Sequence, residues 1–336
     1  MKSFSTLALS GILCTWFLAT TFPNASACLH FPEEYPHKLK EGTKRALSFH
    51  DGKNAHRVLS TEISVEGDGK LPRKLAYVVP FPSLPIKFEE ADAKLFTELH
   101  EWFKARWKDV RPVYRDRGMS RAPAPGYSGF TVLPSQSVGN YHITPIRVDD
   151  GNLETASAFN EWLTEKKFIP IPLEKQKPYL FPGAVFLAIE LNLTGSEASF
   201  KPLHVTYKAD SLALPLRLTH DSRTFDVDWF VVAPKSHFNT NGYLLTEHGS
   251  PFPLSYRGDD VWPLPGDLKQ IGPLTAKLLK SFLGENALKN GDFVISRFSA
   301  SDLNGPGKQL SEISRDPEVF LNKENPPGGA AKEATQ

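Results

Sequence analysis

Apolar and polar residues alternate along residues 57–66, a period of two that predicts a half-buried β-strand. A second strand is predicted over residues 74–81 (KLAYVVPF), where proline residues end it because they lack an amide donor. The intervening Gly-Asp-Gly at 67–69 is typical of a turn. Together these features predict a β-hairpin over residues 57–81.

Six further segments have strand-like apolar patterns. Three of them, at 203–207, 212–218 and 225–233, are joined by connections of four to six residues. Connections this short favour antiparallel neighbours, because a parallel crossover needs about a dozen residues or more. The predicted strands cover residues 141–148, 184–193, 203–207, 212–218, 225–233 and 292–300.

Apolar residues spaced three and four apart predict three helices. The clearest covers residues 90–108, whose stripe contains two tryptophans and a phenylalanine. The others cover residues 154–167 and 273–283. Asn152 is a plausible N-cap for the second helix, and Gly284 is in the favoured position to end the third.

Residues 28–55, 109–139 and 239–270 are rich in polar residues, proline or glycine, and we expect them to be irregular. Residues 322–336 have the composition of a disordered tail. Residues 28–321 are therefore expected to form an α+β globular region. Its mainly antiparallel β-sheet would have about three helices packed on it.

The first 27 residues form a separate segment with the three parts of a secretory signal. Lys2 supplies a positive start, and an apolar stretch follows over residues 7–22. Ala25 and Ala27 are the small residues that a signal peptidase requires. The apolar stretch is shorter than the roughly 20 residues that cross a bilayer. We expect cleavage after residue 27 and an exported protein that is periplasmic, cell-surface or secreted.

Cys28 is the one cysteine that remains after this cleavage, so the mature chain cannot form an internal disulfide. It directly follows the cleavage site, where the acylated cysteine of a lipoprotein would lie. Ala25, however, occupies a position where lipoprotein signals usually have leucine. Plain secretion and lipidation of Cys28 both stay open.

The charge of the chain is balanced, with 39 Lys and Arg against 38 Asp and Glu. Nucleic-acid binding requires a surplus of clustered cations, so we expect no nucleic-acid partner. We also expect no transmembrane helix in the mature chain. An envelope component is a possible partner that the composition leaves open.

Familiar catalytic motifs are absent from the sequence, including G-x-S-x-G, H-E-x-x-H and the P-loop. No cofactor and no metal are predicted. A hydrolase that uses loop side chains, with or without a metal, remains an alternative, although solvated loop residues explain the same pattern more simply. Its candidate residues are His220, Asp221, His237, His248, Asp259 and Asp260.

A cluster of arginines within residues 109–139 could bind an acidic ligand such as a phosphate or a polysaccharide carboxylate. Neighbouring aspartates partly cancel their charge, so a solvated loop is again the simpler interpretation. The candidate residues are Arg111, Arg115, Arg117 and Arg121.

Residues 57–235 resemble a bacterial family known as domain of unknown function 2330. The resemblance implies an exported protein and brings no established catalytic residues. It leaves residues 240–321 unassigned. The matching segments are AYVVPFP at 76–82, GNYHI at 139–143, NEWLTEKKFIPIP at 160–172, YLFPGAVFLAIELNL at 179–193 and KPLHVTYKADSLALPLRL at 201–218.

The sequence therefore favours an exported protein with a non-enzymatic binding or envelope-associated role. The alternative is an exported hydrolase that acts with or without the help of a metal. Substrate, partner and oligomeric state have no signal in the sequence.

Overall fold

The structure is a computed structural model that describes most of the chain between residues 29 and 320. The described residues are 29–30, 39–65, 71–106, 129–168, 170–193, 200–219, 224–234, 261–284, 288, 291, 293–303, 316 and 318–320. The predicted signal at 1–27, Cys28 and the predicted tail at 322–336 lie outside them, so these predictions stay predictions.

Strands dominate the described residues. They are β1 (Leu29–His30), β2 (Leu39–His50), β3 (Ala55–Val65), β4 (Lys74–Phe81), β5 (Lys87–Glu90), β6 (Phe130–Val132), β7 (Gln136–Val138), β8 (Tyr141–Val148), β9 (Val185–Asn192), β10 (Leu203–Tyr207), β11 (Ser211–Ala213), β12 (Phe225–Pro234), β13 (Val261–Pro263), β14 (Phe293–Leu303) and β15 (Glu318–Phe320).

The three predicted helices are present, together with a short fourth. They are α1 (Lys94–Lys104), α2 (Leu153–Glu165), α3 (Leu173–Gln176) and α4 (Pro273–Leu283). Both predicted caps are confirmed. The Asn152 side chain accepts a hydrogen bond from the Thr155 amide, and Gly284 ends α4 with a positive φ of 73°.

The strands form two large sheets and a small one. The six-stranded sheet has the order β1-β4-β9-β8-β6, and β7 also pairs with β8. The seven-stranded sheet has the order β13-β14-β12-β2-β3-β10-β5, and β11 pairs with β15. Among the described pairings, β2 with β12 is the parallel one. The predicted α+β class with mainly antiparallel sheet is therefore confirmed.

The two large sheets are stacked in the middle of a four-layer arrangement, with helices on both outer faces. Strand β12 illustrates the reason. Trp229 and Val231 pack into the core between the sheets, whereas Phe230 and Val232 pack against α1 and α4. Successive strand residues point to opposite faces, so a strand that is apolar throughout must be covered on both sides. On the other sheet, α2 covers the outer face with Phe159 and its neighbours.

The predicted hairpin over residues 57–81 is wrong. Strand β3 pairs with β2 and β10 in the seven-stranded sheet, whereas β4 pairs with β1 and β9 in the six-stranded sheet. The chain crosses between the sheets at this point. Local alternation predicts each strand but not its partner, because the partner is chosen by burial of the whole sheet.

The prediction that residues 28–55 are irregular is also wrong, since β1 and the long strand β2 lie there. The first half of β2 is rich in charged residues, which hid its strand character. Residues 44–49 of β2 are paired on both sides, with β3 and with β12, whereas residues 39–41 pair with β3.

Three smaller predictions also need correction. The segment predicted as a strand at 212–218 contains the short β11, followed by a 3₁₀ turn at Arg217–Thr219. Strands β10, β11 and β12 are not successive antiparallel neighbours, because each pairs with strands distant in sequence. The segments 109–139 and 239–270, predicted as irregular, contain β6, β7 and β13.

Within the described parts of the chain, no helix combines the length and the apolar character that a bilayer crossing needs.

The beginning of α4 is stabilised by a side chain from α1. The Glu98 carboxylate accepts hydrogen bonds from the Leu274 amide at 3.1 Å and the Thr275 amide at 2.8 Å. It also accepts one from the Thr275 hydroxyl at 2.9 Å. These amides have no partner inside the helix. A negative charge here also interacts favourably with the positive end of the helix dipole.

We expect Glu98→Ala to lower the free energy of unfolding by about 1–2 kcal/mol, as loss of a helix cap usually does. Urea denaturation measures this change. Glu101→Ala on the same helix is the control, because Glu101 is exposed and contacts Lys104 alone among charged partners described here, at 3.7 Å. Equal effects of the two substitutions would contradict the capping role.

Candidate functional site

A cleft opens between the two large sheets, and we call it the inter-sheet cleft. Its cavity volume is about 70 Å³, and the space free of protein atoms reaches about 670 Å³ when open solvent is included. Strands β2 and β3 form one wall, β4 forms the other, and the segment after β11 covers one side. The lining residues are Lys44, Arg45, Ala46, Leu59, Ser60, Thr61, Ile63, Tyr77, Val78, Val79, Pro80, Phe200, Leu214, Pro215 and Leu216.

The cleft follows from the local sequence of its walls. Leu59, Thr61 and Ile63 lie on one face of β3, and that face is turned toward the other sheet. The register between β2 and β3 shifts between Glu41 and Lys44, which is a β-bulge. A bulge adds twist and bends the strand, and this one directly precedes Lys44, the first residue of β2 in the lining.

Two cations stand on the β2 side of the cleft. Arg45 Nη1 lies 2.5 Å from Glu62 Oε1, so its charge is paired. Lys44 Nζ lies 4.9 Å from the centre of the Phe225 ring, a cation–π distance.

Two tyrosines, Tyr77 on β4 and Tyr141 on β8, lie on the strands that flank β9 and are hydrogen-bonded to each other. Tyr77 lines the cleft, and the Tyr141 hydroxyl donates to the Lys201 carbonyl at 2.5 Å. Burial raises the pKa of both hydroxyls, so both stay neutral and can act as hydrogen-bond donors.

A second polar cluster lies on the opposite face of the seven-stranded sheet, under α4. It centres on His56 and His204, which we call the histidine pair. Their facing ring nitrogens, Nδ1 and Nε2, are 3.2 Å apart. His56 Nε2 lies 3.1 Å from Asp51 Oδ2, and the Thr206 hydroxyl lies 3.2 Å from His56 Nδ1. His204 Nδ1 is 3.8 Å from a Glu89 carboxylate oxygen.

The protonation of this cluster is controlled by burial. Burial lowers the pKa of His204 to about 4, and the neighbouring His56 acts in the same direction. Burial also lowers the pKa of His56, although the Asp51 carboxylate partly offsets this effect. Burial raises the pKa of Asp51, but hydrogen bonds from nearby amides outweigh it and keep that pKa below its usual value. Both histidines are therefore neutral near pH 7.

The chain of Asp51, His56 and Thr206 has the order of an acid, a base and a hydroxyl, which nucleophilic catalysis also requires. The hydroxyl, however, has no path to a substrate. Thr206 is 6% exposed and His56 is 1% exposed. Phe49 is stacked on His56 with ring centres 4.6 Å apart, and Phe282 covers it at 4.3 Å. The arrangement supports a structural role for the histidine pair.

Sequence reasoning missed the histidine pair because its members are 148 residues apart. The pairing of β3 with β10 places Thr206 opposite His56, and His204 two residues along the same strand. The signal would have been the register of these two strands, which the sequence does not contain.

None of the described side chains forms a group of three or more His, Cys, Asp or Glu that could hold a metal ion. The candidate residues of the predicted hydrolase lie outside the described residues, and that alternative stays a prediction. The four arginines proposed for an acidic ligand lie outside them too. These residues are His220, Asp221, His237, His248, Asp259, Asp260, Arg111, Arg115, Arg117 and Arg121.

Comparison with known proteins identifies one family. The sequence profile of a family described as an uncharacterized protein conserved in bacteria, DUF2330, matches residues 23–242. No curated protein matches the chain significantly.

Several solved structures have a weak likeness to this fold. The crystal structure of baculovirus P35 is 12% identical with a TM-score of 0.35, over 67% of this chain and 75% of that chain. A mutated baculovirus P35 after caspase cleavage is 12% identical with a TM-score of 0.36, over 58% of this chain and 68% of that chain. These TM-scores support no conclusion about fold or function.

The histidine pair makes stability depend on pH. A histidine in the unfolded chain has a pKa of about 6.5, so below that value the unfolded state binds more protons than the folded state. The free energy of unfolding must then fall as the pH drops from about 6.5 toward about 4. From His204 alone we expect a loss of about 2 kcal/mol between about pH 7.5 and about pH 5.

Urea denaturation at a series of pH values measures this loss. The variant His204→Gln should have a flatter pH dependence over the same window. His142→Gln, which removes a half-buried histidine from β8, is the control and should keep the slope of the unsubstituted protein. An unchanged slope in His204→Gln would rule out the histidine pair as the cause.

Proposed function

The chain belongs to the bacterial family of uncharacterized conserved proteins DUF2330, and from that premise we propose that it is an exported protein that binds a small apolar molecule in the inter-sheet cleft. The proposed role is binding and not catalysis. It agrees with the sequence, which favours a non-enzymatic role outside the cytoplasm.

One observation carries the proposal: the inter-sheet cleft is open to solvent and mostly apolar. Aliphatic side chains such as Leu59, Ile63, Val79 and Leu214 dominate its walls. Ligand sites are commonly concave and largely apolar, with a few polar groups that orient the ligand. Ser60, Thr61 and Tyr77 lie among the lining residues and could supply those polar groups.

The chemistry of the lining supports binding. The lining residues named above include no histidine, cysteine, aspartate or glutamate. These are the side chains that most often act as acid, base or nucleophile. Burial keeps the hydroxyl of Tyr77, which lines the cleft, neutral and able to take part in hydrogen bonding to a ligand.

Apolar burial sets the scale of the expected affinity. A ligand that loses ~200 Å² of apolar surface to the cleft gains about 5 kcal/mol. The loss of translational and rotational freedom on binding offsets much of this gain. Apolar contact alone therefore gives weak binding, and a polar interaction must add affinity and specificity.

Titration with Nile red, a neutral apolar dye, tests the proposal. We expect saturable fluorescence enhancement, and about tenfold weaker binding in Leu59→Trp, because the larger ring fills the cleft. Leu84→Trp is the control, since Leu84 is 45% exposed and does not line the cleft. Equal binding by both variants, or no binding by the unsubstituted protein, would refute the role of the cleft.

Export rests on the signal-like features of residues 1–27 and is tested separately. We expect the purified mature protein to begin at Cys28, because cleavage follows Ala27. Cell fractionation and intact mass measure this outcome. Ala27→Arg should block cleavage, whereas Ala19→Ser, within the apolar stretch, should not. An uncleaved chain in the cytoplasm would contradict export.

Labelling with an alkyne fatty acid separates the two open alternatives for Cys28. A label that disappears in Cys28→Ser would support a lipoprotein. A mature protein without label would support plain secretion.

A further inference from the structure

Arg57 is a charged side chain buried between the two large sheets. It is 1% exposed and ranks among the largest fully buried side chains described. It lies on β3, two residues before Leu59 and on the same face, so it points toward the six-stranded sheet. A guanidinium at this depth is unusual, because arginine is rarely fully buried unless it is paired.

The contacts of Arg57 compensate only part of its charge. Nη2 donates to the Ala213 carbonyl at 2.5 Å. The guanidinium lies over two aromatic rings, 4.7 Å from the centre of Phe81 and 5.2 Å from that of Tyr207. Nε and Nη1 are buried and have no hydrogen-bond partner in the part of the chain that the structure describes. Among the described residues, no carboxylate forms an ion pair with Arg57.

This state is costly. Arginine keeps its charge in proteins, so burial here means burial of an ion. Burial of an unpaired ion costs several kcal/mol even after relaxation. Two cation–π contacts contribute roughly 1–2 kcal/mol each when desolvated, which offsets only part of that cost.

The protein handles another buried arginine differently. Arg297 is 6% exposed and forms two hydrogen bonds with the Asp228 carboxylate, at 2.5 and 3.0 Å. Both arginines are on the seven-stranded sheet, but Arg297 has its anion within the chain. A buried polar group without a partner calls for an explanation, and an ion or polar group from outside the chain is one.

Three neighbours of Arg57 either line the inter-sheet cleft or are adjacent in the chain to a residue that does. Leu59 is its neighbour on the same face of β3, and Leu59 lines the cleft. Phe81, which contacts the guanidinium, directly follows Pro80 of the lining. Ala213, which accepts its hydrogen bond, directly precedes Leu214 of the lining. Arg57 is therefore next to residues that line the cleft, although it is not itself part of the lining.

We infer that Arg57 anchors the anionic head of a ligand whose apolar part fills the inter-sheet cleft, and that the ligand class is a monocarboxylate with an aliphatic chain. This inference rests on the proposed binding function. Nε or Nη1, which lie on opposite edges of the guanidinium, would donate a charge-assisted hydrogen bond to one carboxylate oxygen. A single cation between two aromatic rings suits a single negative charge, because the desolvation cost of a doubly charged phosphate is much larger.

The guanidinium has no exposed surface, so a ligand must displace a neighbour to reach it. The segment from Ala213 to Leu216 both contacts Arg57 and lines the cleft. We expect this segment to shift when the carboxylate binds, and the association to be slower than diffusion allows.

Competition against Nile red tests the inference, with dodecanoate, dodecanol and acetate as competitors. The unsubstituted mature protein should bind dodecanoate at least about tenfold more tightly than dodecanol, because charge-assisted hydrogen bonds are the strong ones. Arg57→Met should lose this preference and still bind dodecanol. Arg147→Met, which removes an exposed arginine on β8 outside the cleft, should keep the preference.

The outcomes distinguish the two levels of the proposal. Failure of Nile red, dodecanoate and dodecanol to bind the unsubstituted protein would remove the proposed function itself. Equal binding of dodecanoate and dodecanol, or a preference that survives in Arg57→Met, would overturn the role of Arg57 alone. Acetate as effective as dodecanoate would mean that Arg57 binds a free small anion, which also overturns the inference.

A second measurement covers the case in which Arg57→Met does not fold. Thermal unfolding of the unsubstituted protein is then compared with saturating dodecanoate and with saturating dodecanol. A larger increase in Tm with dodecanoate supports the anchor. Arg57→Lys, which keeps the charge but loses the planar donors, should reduce that difference. Equal shifts in Tm would overturn the inference.

Discussion

Burial of both faces of the seven-stranded sheet is the constraint on which the rest of this structure depends. The interior strand β12 is apolar on both sides, with Trp229 and Val231 toward the other sheet and Phe230 and Val232 toward the helices. A sheet of this kind cannot face water, so it needs a second sheet on one side and helices on the other. The six-stranded sheet has the same need, and α2 meets it. The four layers are the common solution.

This layered interior gives each buried polar group a distinct environment. Asp228 and Arg297 satisfy each other under α1, so their charges are paired within the chain. The histidine pair avoids charge altogether, because burial holds its rings in the neutral form. Arg57 has neither solution, since it keeps its charge and lacks an anion among the described residues. That contrast is the physical basis for assigning it a ligand.

The inter-sheet cleft and Arg57 together have the two properties that an amphipathic acid requires. The cleft offers aliphatic contact but little specificity, because apolar burial is non-directional. The guanidinium offers directed donors and a charge, but at a depth that a hydrated ion reaches only at high cost. A ligand with both an apolar chain and a single negative head meets both conditions. Membership in an uncharacterized bacterial family is compatible with this function and does not specify it.

The sequence by itself determined the local structure. Helices α1, α2 and α4 follow from apolar stripes with a period of 3.6, and the caps Asn152 and Gly284 follow from residue type, because these features involve neighbours within one or two turns. Most strands followed from alternation in the same way, and the family resemblance was carried by these same segments.

Only the tertiary structure decided which strands pair and which polar groups meet. Strand β3 pairs with β2 and β10 and not with β4, the next strand in the sequence. The charged strand β2 is stabilised by pairing with β3 and β12. His56 contacts His204, and Arg57 contacts Phe81, although the residues of each pair are distant in the chain. Such contacts are chosen by the burial of whole sheets, and no local pattern of residues records that choice.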